Sequence, residues 1–329
     1  MKTVESGLVY SVVYNFREHY GSDYGIQKKS DLKKGYHSSP EGPPYNLGVV
    51  YHSNLKDKPR IIAVKPFALD SLLWVKGQGL YYADNHTIRK FVDGENDEWI
   101  GTGRDLHVNC LAWIPDYGLC CGTHDGEILR CTNENNEWCG ESLITKRAGS
   151  IMSLIWIPEQ GLFDAGSDVK YNQIRKCLDK GKNKVDELIA ERVENKEKID
   201  PLPTLHWIPE VGLIDKGEGH YDRSYDLVRY LNQDGNKCNE LIAIKDKKLF
   251  FVDKKSHPSC TLFRLNYELL GTRSIMAFAS VPKLGLLFTD HKNGIYKLLD
   301  DKGNLDKSSK PIINTWPHEV SSMAWINKK

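Results

Sequence analysis

The chain has 329 residues, and 45 Lys and Arg against 44 Asp and Glu leave a net charge of +1, so no overall field steers it onto nucleic acid or an anionic membrane. Its longest apolar runs, such as IIAV and LLWV, are four to five residues, far below the roughly 20 that a membrane-spanning helix needs. Eight cysteines include no C-x-x-C pair, which sets aside common zinc-finger and dithiol classes and leaves small buried hydrophobes as their expected role.

The first segment, MKTVESGLVYSVVYNF, carries Glu5 ahead of a short apolar run broken by tyrosines, with no small-residue cleavage site. The expectation is a soluble, cytoplasmic protein without a secretory leader. Within that segment SGLVYSVV reads as a strand. Residues 15–46 then form an insertion rich in Lys, Ser and Gly, with Tyr20, Tyr24, Tyr36 and Tyr45 spaced through it, before the strand LGVVYH. Insertions of this length in compact domains are functional or unstructured, and both readings stay open.

From residue 74 one pattern recurs. Trp74, Trp113, Trp156 and Trp207 are each followed five residues later by Gly79, Gly118, Gly161 and Gly212, and then by Leu80, Leu119, Leu162 and Leu213; Pro115, Pro158 and Pro209 sit in three of the turns. Two apolar runs joined by a short turn of this kind predict a β-hairpin. A third strand follows in TIRKF, EILRC, QIRKC, DLVRY, TLFRL and GIYKL, then turns such as DGEN, DKGKN, QDGN and DKGN, and a fourth strand in ESLITK, DELIAE, NELIAI and KPIINTW. The segment KNKVDELIAERVENKEK is read as a strand with a charged extension rather than a helix.

Four short antiparallel strands recurring every 35 to 55 residues or so match a propeller blade. The ends of the chain complement each other. HEVSSMAWI supplies a first strand with Trp325, and SGLVYSVV supplies a second strand that no Trp strand precedes. Pairing 320–326 with 8–13 would close a ring and remove its free edges. The expectation is an all-β, seven-bladed propeller in a single domain over 1–329, with the insertion at 15–46. Six blades is the alternative, because NELIAIKDKKLFFVDKK leaves little room for a last strand and the next two strands.

The stretch GLCCGTHDGEILRCT resembles the WD-repeat propellers in its run of strand, small residues, Asp-Gly turn and Ile-bearing strand, and HEVSSMAWI resembles their first strand. The chain has no Trp-Asp dipeptide: Phe91, Cys131 and Cys177 stand nearest to that Trp, with Asp93, Asp179 and Asp300 shortly after the third strands. His107 and His318 fall near the family's His, and Asp125 near its turn Asp. The resemblance implies a propeller that binds a protein or peptide.

Two sets of residues are candidates for function. Third strands carry Lys90, Arg130, Lys176, Arg229, Arg264 and Lys297 in one register. Because buried cations need partners, these are expected to pair across blades with second-strand acids such as Asp84, Asp253 or Asp290 rather than to form an anion-binding ring. The connections ADNHT, GTHDGE, GEGHYDRSYD, DKKSHPS and TDHKNG join second to third strands and must emerge on one face, together with the insertion. The expected partner-binding residues are Tyr20, Tyr24, Tyr36, Tyr45, His86, His124, Asp125, His220, Tyr221, Asp222, Arg223, Tyr225, His257 and His291, since tyrosine gives contact area at low entropic cost.

No G-x-S-x-G, H-E-x-x-H, Walker or dinucleotide fingerprint occurs, so no catalytic residue and no cofactor is assigned. No metal is expected, because imidazole and carboxylate would have to converge within about 2.0–2.2 Å of one ion while blades fan their loops apart. The reading is a non-catalytic interaction scaffold for a protein or peptide, with nucleic acid and membrane not expected and a monomer as the default. The alternative is a propeller enzyme or lectin-type binder holding a metal or glycan at the channel mouth.

Overall fold

The structure, a computed structural model, describes residues 6–15, 46–55, 58–65, 69, 71–84, 86–92, 96–102, 106–167, 171–193, 205–208, 211–219, 225–245, 248–253, 275–281, 284–290, 294–299, 311–315 and 319–326. These residues form six antiparallel sheets. Blade 1 holds β1 (Gly7–Asn15), β2 (Asn46–Ser53) and β3 (Arg60–Lys65). Blade 2 holds β4 (Ser71–Val75), β5 (Gly79–Ala83), β6 (Ile88–Phe91) and β7 (Asp97–Gly101). Blade 3 holds β8 (Val108–Ile114), β9 (Gly118–Thr123), β10 (Glu127–Thr132) and β11 (Trp138–Lys146). Blade 4 holds β12 (Ser150–Ile157), β13 (Gly161–Ser167), β14 (Tyr171–Asp179) and β15 (Lys184–Val193). Blade 5 holds β16 (His206–Ile208), β17 (Gly212–Gly219), β18 (Tyr225–Leu231), β19 (Lys237–Lys245) and β20 (Lys248–Asp253). Blade 6 holds β21 (Ile275–Val281), β22 (Gly285–Asp290), β23 (Gly294–Leu299) and β24 (Ile313–Asn314). The last strand, β25 (Glu319–Ile326), returns to blade 1 and pairs antiparallel with β1.

One cross-strand pair explains the Trp-to-Leu spacing. Trp74 stands opposite Leu80, Trp113 opposite Leu119, Trp156 opposite Leu162 and Trp207 opposite Leu213. In blade 1 the same pair is made by the two ends of the chain, Trp325 opposite Leu8. In blades 3 to 5 the glycine before the Leu is needed twice over. Gly118, Gly161 and Gly212 lie at φ +118, +130 and +117, and a Cβ there would stand 2.1, 2.0 and 2.0 Å from the carbonyl oxygens of Thr132, Leu178 and Leu231. Backbone passes backbone where a side chain has no room, at a dihedral that L-residues rarely adopt.

Alternation along the second strands builds the seams between blades. Val9, Tyr81, Cys120, Phe163 and Leu287, two places after the glycine, pack towards the following blade, while Tyr10, Tyr82 and Cys121, three places after it, pack towards the preceding one. Cys120 and Cys121 therefore enter different seams, as adjacent strand residues must. Cys110, Cys120, Cys121, Cys131 and Cys177 are buried thiols, and burial pushes Cys110, Cys120 and Cys177 well above the usual thiol range. They fill space in the seams.

The blade number corrects the expectation of seven to six. The segment KLFFVD is β20, and it pairs with β19 from Lys245–Lys248 to Glu240–Asp253 as a fifth, outermost strand of blade 5. To begin another blade it would have to cross from the outer strand to the ring centre, about 14 Å over three strand spacings. Two connecting residues stretch about 11 Å at most, so the adjacent antiparallel position is the one within reach. The TLFRL segment with Arg264 lies outside the described residues.

Candidate functional site

Connections between second and third strands share one face with the connections that lead from a fourth strand into the next blade. On blades 2 and 3 their backbones interlock. Asp84 closes the β5–β6 turn, its Oδ1 accepting from Thr87 N at 2.9 Å and Thr87 Oγ1 at 2.6 Å, while Oδ2 lies 3.3 Å from Arg89 Nε. This is the local side-chain-to-backbone bonding that makes Asp a turn residue. It turns the chain so that His86 N donates to Asp84 O at 2.7 Å. Thr102, at φ 56, donates from Oγ1 to His86 O at 2.6 Å, and His124 N donates to His107 O at 2.8 Å.

These bonds bring three exposed imidazoles into a row. The His86 and His107 ring centroids lie 4.4 Å apart with planes at 60°, and those of His107 and His124 lie 6.1 Å apart at 63°. Ser150, the first residue of β12, fixes the last ring. Its Oγ donates its one proton to His124 O at 2.7 Å and sits 3.0 Å from His124 Nδ1. With that proton spent, Oγ can accept only from Nδ1–H, which in the neutral ring leaves the lone pair on Nε2. Asp125 follows, exposed, at the tip of the β9–β10 turn. Among the described residues no three His, Cys, Asp or Glu side chains are placed to hold one metal ion, so the row offers hydrogen bonds and ring faces rather than a coordination shell.

Beyond the histidines the same face is charged. Arg147 N donates to Gly126 O at 2.8 Å, and its guanidinium grips Asp164 of β13 through Nε at 3.1 Å and Nη2 at 2.8 Å. Asp186 joins Arg147 Nη1 at 2.6 Å to Arg175 Nη1 at 2.9 Å. Asp164 is 1% exposed; burial raises its carboxyl above the usual range against the pull of Arg147. At Asp186 a smaller burial effect is outweighed by Arg147 and Arg175, which hold that carboxyl below the usual range. This network stitches blade 3 to blade 4 under the rim.

Of the expected partner-binding residues, His86, His124 and Asp125 are exposed on this rim, and Tyr225 begins β18. Tyr20, Tyr24, Tyr36, Tyr45, His220, Tyr221, Asp222, Arg223, His257 and His291 lie outside the described residues. The insertion joins Asn15 of β1 to Asn46 of β2, so it leaves and returns at a second-to-third-strand connection. The sequence reading missed His107 as a rim residue, giving it only the family's structural position. Its place just before a first strand is the signal that it shares a face with His86 and His124.

Among the described residues, Lys90, Arg130, Lys176 and Arg229 have partners besides the expected second-strand acids. Lys90 lies 3.6 Å from Glu98 of β7 and over the Tyr81 ring, Arg130 lies 3.5 Å from Glu134 and over the Tyr117 ring, and Lys176 lies over the Phe163 ring. Arg229 pairs with Glu240 of β19. The ladder decides this: Glu98 and Glu240 stand directly opposite Lys90 and Arg229 on the fourth strands, where cross-strand pairs meet.

No family model matches the chain, and no curated protein matches it. Among solved structures, a chain of the Nidogen/Laminin complex superposes with a TM-score of 0.58 at 11% identity, over 99% of this chain and 100% of that one. A chain of the mitotic checkpoint complex gives 0.45 at 15% identity, over 85% and 80%. A protein of unknown function from Bacteroides caccae gives 0.48 at 8% identity, over 98% and 99%. At 11% identity the first likeness speaks to architecture alone, and together with the six closed-order sheets it makes this chain a six-bladed β-propeller.

Proposed function

We propose that the protein is a non-catalytic interaction scaffold that recognises a protein or peptide through the face carrying His86, His107, His124 and Asp125, together with the Tyr-rich insertion. One observation carries the reading: three exposed imidazoles from three separate connections of two blades meet within 4.4 and 6.1 Å on a rim held by backbone hydrogen bonds. A pre-ordered row of this kind binds without first losing conformational freedom, which lowers the cost of association. Imidazoles and tyrosines supply both ring surface and hydrogen bonds, a composition suited to peptide recognition. Propellers occur in protein complexes, among them the Nidogen/Laminin assembly.

The test is affinity capture from the native host with three baits, compared by quantitative mass spectrometry. The baits are the intact chain, a variant with 16–45 replaced by a short Gly-Ser linker, and the triple variant His86→Ala, His107→Ala, His124→Ala. The proposal expects a protein retained by the intact chain and depleted at least tenfold by both variants, with thermal melts of all three nearly superimposed. Equal retention by all three baits would place recognition elsewhere.

A further inference from the structure

On the outer strands, Trp99 of β7 and Trp138 of β11 meet across the seam between blades 2 and 3. Their ring centroids are 5.6 Å apart and their planes are inclined at 51°. They stay 51% and 38% exposed, the two most exposed aromatic rings among the described large hydrophobic side chains. The arrangement is built rather than incidental. Trp99 Nε1 donates to Thr102 O at 3.2 Å, which anchors one ring. The other lies on Gly101, where a Cβ would come within 1.7 Å of Trp138, so this glycine is the seat on which the indole rests.

The chain around both rings is acidic. Asp97 and Glu98 precede Trp99, and residues 133–141 carry Glu134, Glu137 and Glu141 with no Lys or Arg. Cations of the protein account for three of the five: Lys65 takes Asp97, Lys90 takes Glu98 and Arg130 takes Glu134. Arg89, opposite Trp99 in the ladder, is engaged by Asp84. Glu137 and Glu141 are exposed, and among the described residues neither is in an ion pair. Glu137 and Glu141 stand one and three residues from Trp138 in the chain, Glu137 accepting from Asn133 Nδ2 at 2.8 Å, and two inclined indole faces in such an acidic stretch attract a cation, which binds over a Trp face through the ring quadrupole.

We infer that the Trp99–Trp138 cleft docks a basic peptide segment of a partner protein, one Lys or Arg side chain lying against the indoles and its neighbours facing Glu137 and Glu141. The indoles stand on outer strands and the rim histidines on connections, and the two surfaces share Thr102, whose carbonyl takes Trp99 Nε1 while its hydroxyl holds His86 O; Trp138→Ala alone leaves that link intact and tells them apart. The probe is a twelve-residue peptide rich in Lys and Arg, titrated against the full chain at low salt while tryptophan fluorescence and, separately, a label on the peptide are followed. Saturable binding is expected, weakened about tenfold by Trp99→Ala with Trp138→Ala and several-fold by Glu137→Gln with Glu141→Gln. Gly101→Ala keeps both rings but lifts Trp138 from its seat, and is expected to weaken binding as well. Absence of saturable binding, or equal binding by the double Trp variant with its circular dichroism unchanged, would overturn the inference. So would equal or tighter binding of a neutral oligosaccharide, since that would make the cleft a carbohydrate platform.

Discussion

The seam between blades 1 and 2 contains a test of how this ring is held together. Lys65, at the end of β3, reaches Asp97 at the start of β7, and Tyr82 donates its hydroxyl to the same carboxylate oxygen at 2.6 Å. Lys65 is 7% exposed and its ammonium also sits 5.6 and 5.4 Å from the Tyr82 and Phe91 ring centroids. In the substitution Lys65→Met the aliphatic volume remains but Asp97 keeps a buried charge with one donor, a loss of about 3–5 kcal/mol. Unfolding 329 residues carries an entropy of about 0.7 kcal/mol/K, so the melting temperature should fall by about 4–7 °C. The double variant Lys65→Met with Asp97→Asn removes both charges and should recover most of that loss. Differential scanning calorimetry of the two singles and the double at pH 7 measures the coupling. A single-variant shift under about 1 °C, or a double variant as damaged as the sum of the singles, would show that the pair is solvated and the seam is held by its apolar contacts alone.

Gly161→Ala at φ +130 and Gly77→Ala at φ +80 should each cost about 1–3 kcal/mol from the dihedral, but the first also pushes a methyl against Leu178 O while the second has open space around it, so Gly161→Ala should cost more; equal shifts in urea midpoint would contradict the close-approach argument. Burial lowers the His206 imidazole from 6.5 to about 4, so the unfolded chain gains a proton near pH 6.5 that the folded chain refuses until about pH 4. Stability is then full above pH 6.5 and declines across that window by about 3 kcal/mol at most. His206→Gln should flatten this part of the pH profile, and an unchanged slope between pH 6.5 and 4 would refute the assignment.

What the sequence makes legible is what is local. The Trp–Leu cross-strand pairs and the glycine between them lie within six residues of one another, so the hairpins of blades 2 to 5 can be read directly. Strand β15 was equally readable, its alternation outweighing the helix-like charges around it. Even the long-range pairing of Trp325 with Leu8 can be read, because each end lacks what the other supplies. Blade number was not legible in the same way. It turned on whether KLFFVD crosses to the ring centre or folds back on β19, a question of connection reach that apolar alternation does not address. Of the site, His86, His124 and Asp125 could be found from their turns, but the contact of His107 with both histidines depends on how two blades are set side by side. The Trp99–Trp138 pair escaped for the same reason, since its two residues belong to the fourth strands of neighbouring sheets.

Blade 1 also sets an order of events during synthesis. Strands β1 and β2 leave the ribosome before the other strands of the ring, yet the strand that covers the far edge of β1 begins at Glu319, about 300 residues later. At ordinary elongation rates of about 5–20 residues per second, that edge waits about 15–60 s with its amides and carbonyls open to any passing strand. A nascent chain stalled anywhere in this interval presents a sticky seam, and crowded polysomes bring many such seams together. Chaperone dependence of the newborn protein should therefore track translation speed more closely than it tracks the stability of the finished ring.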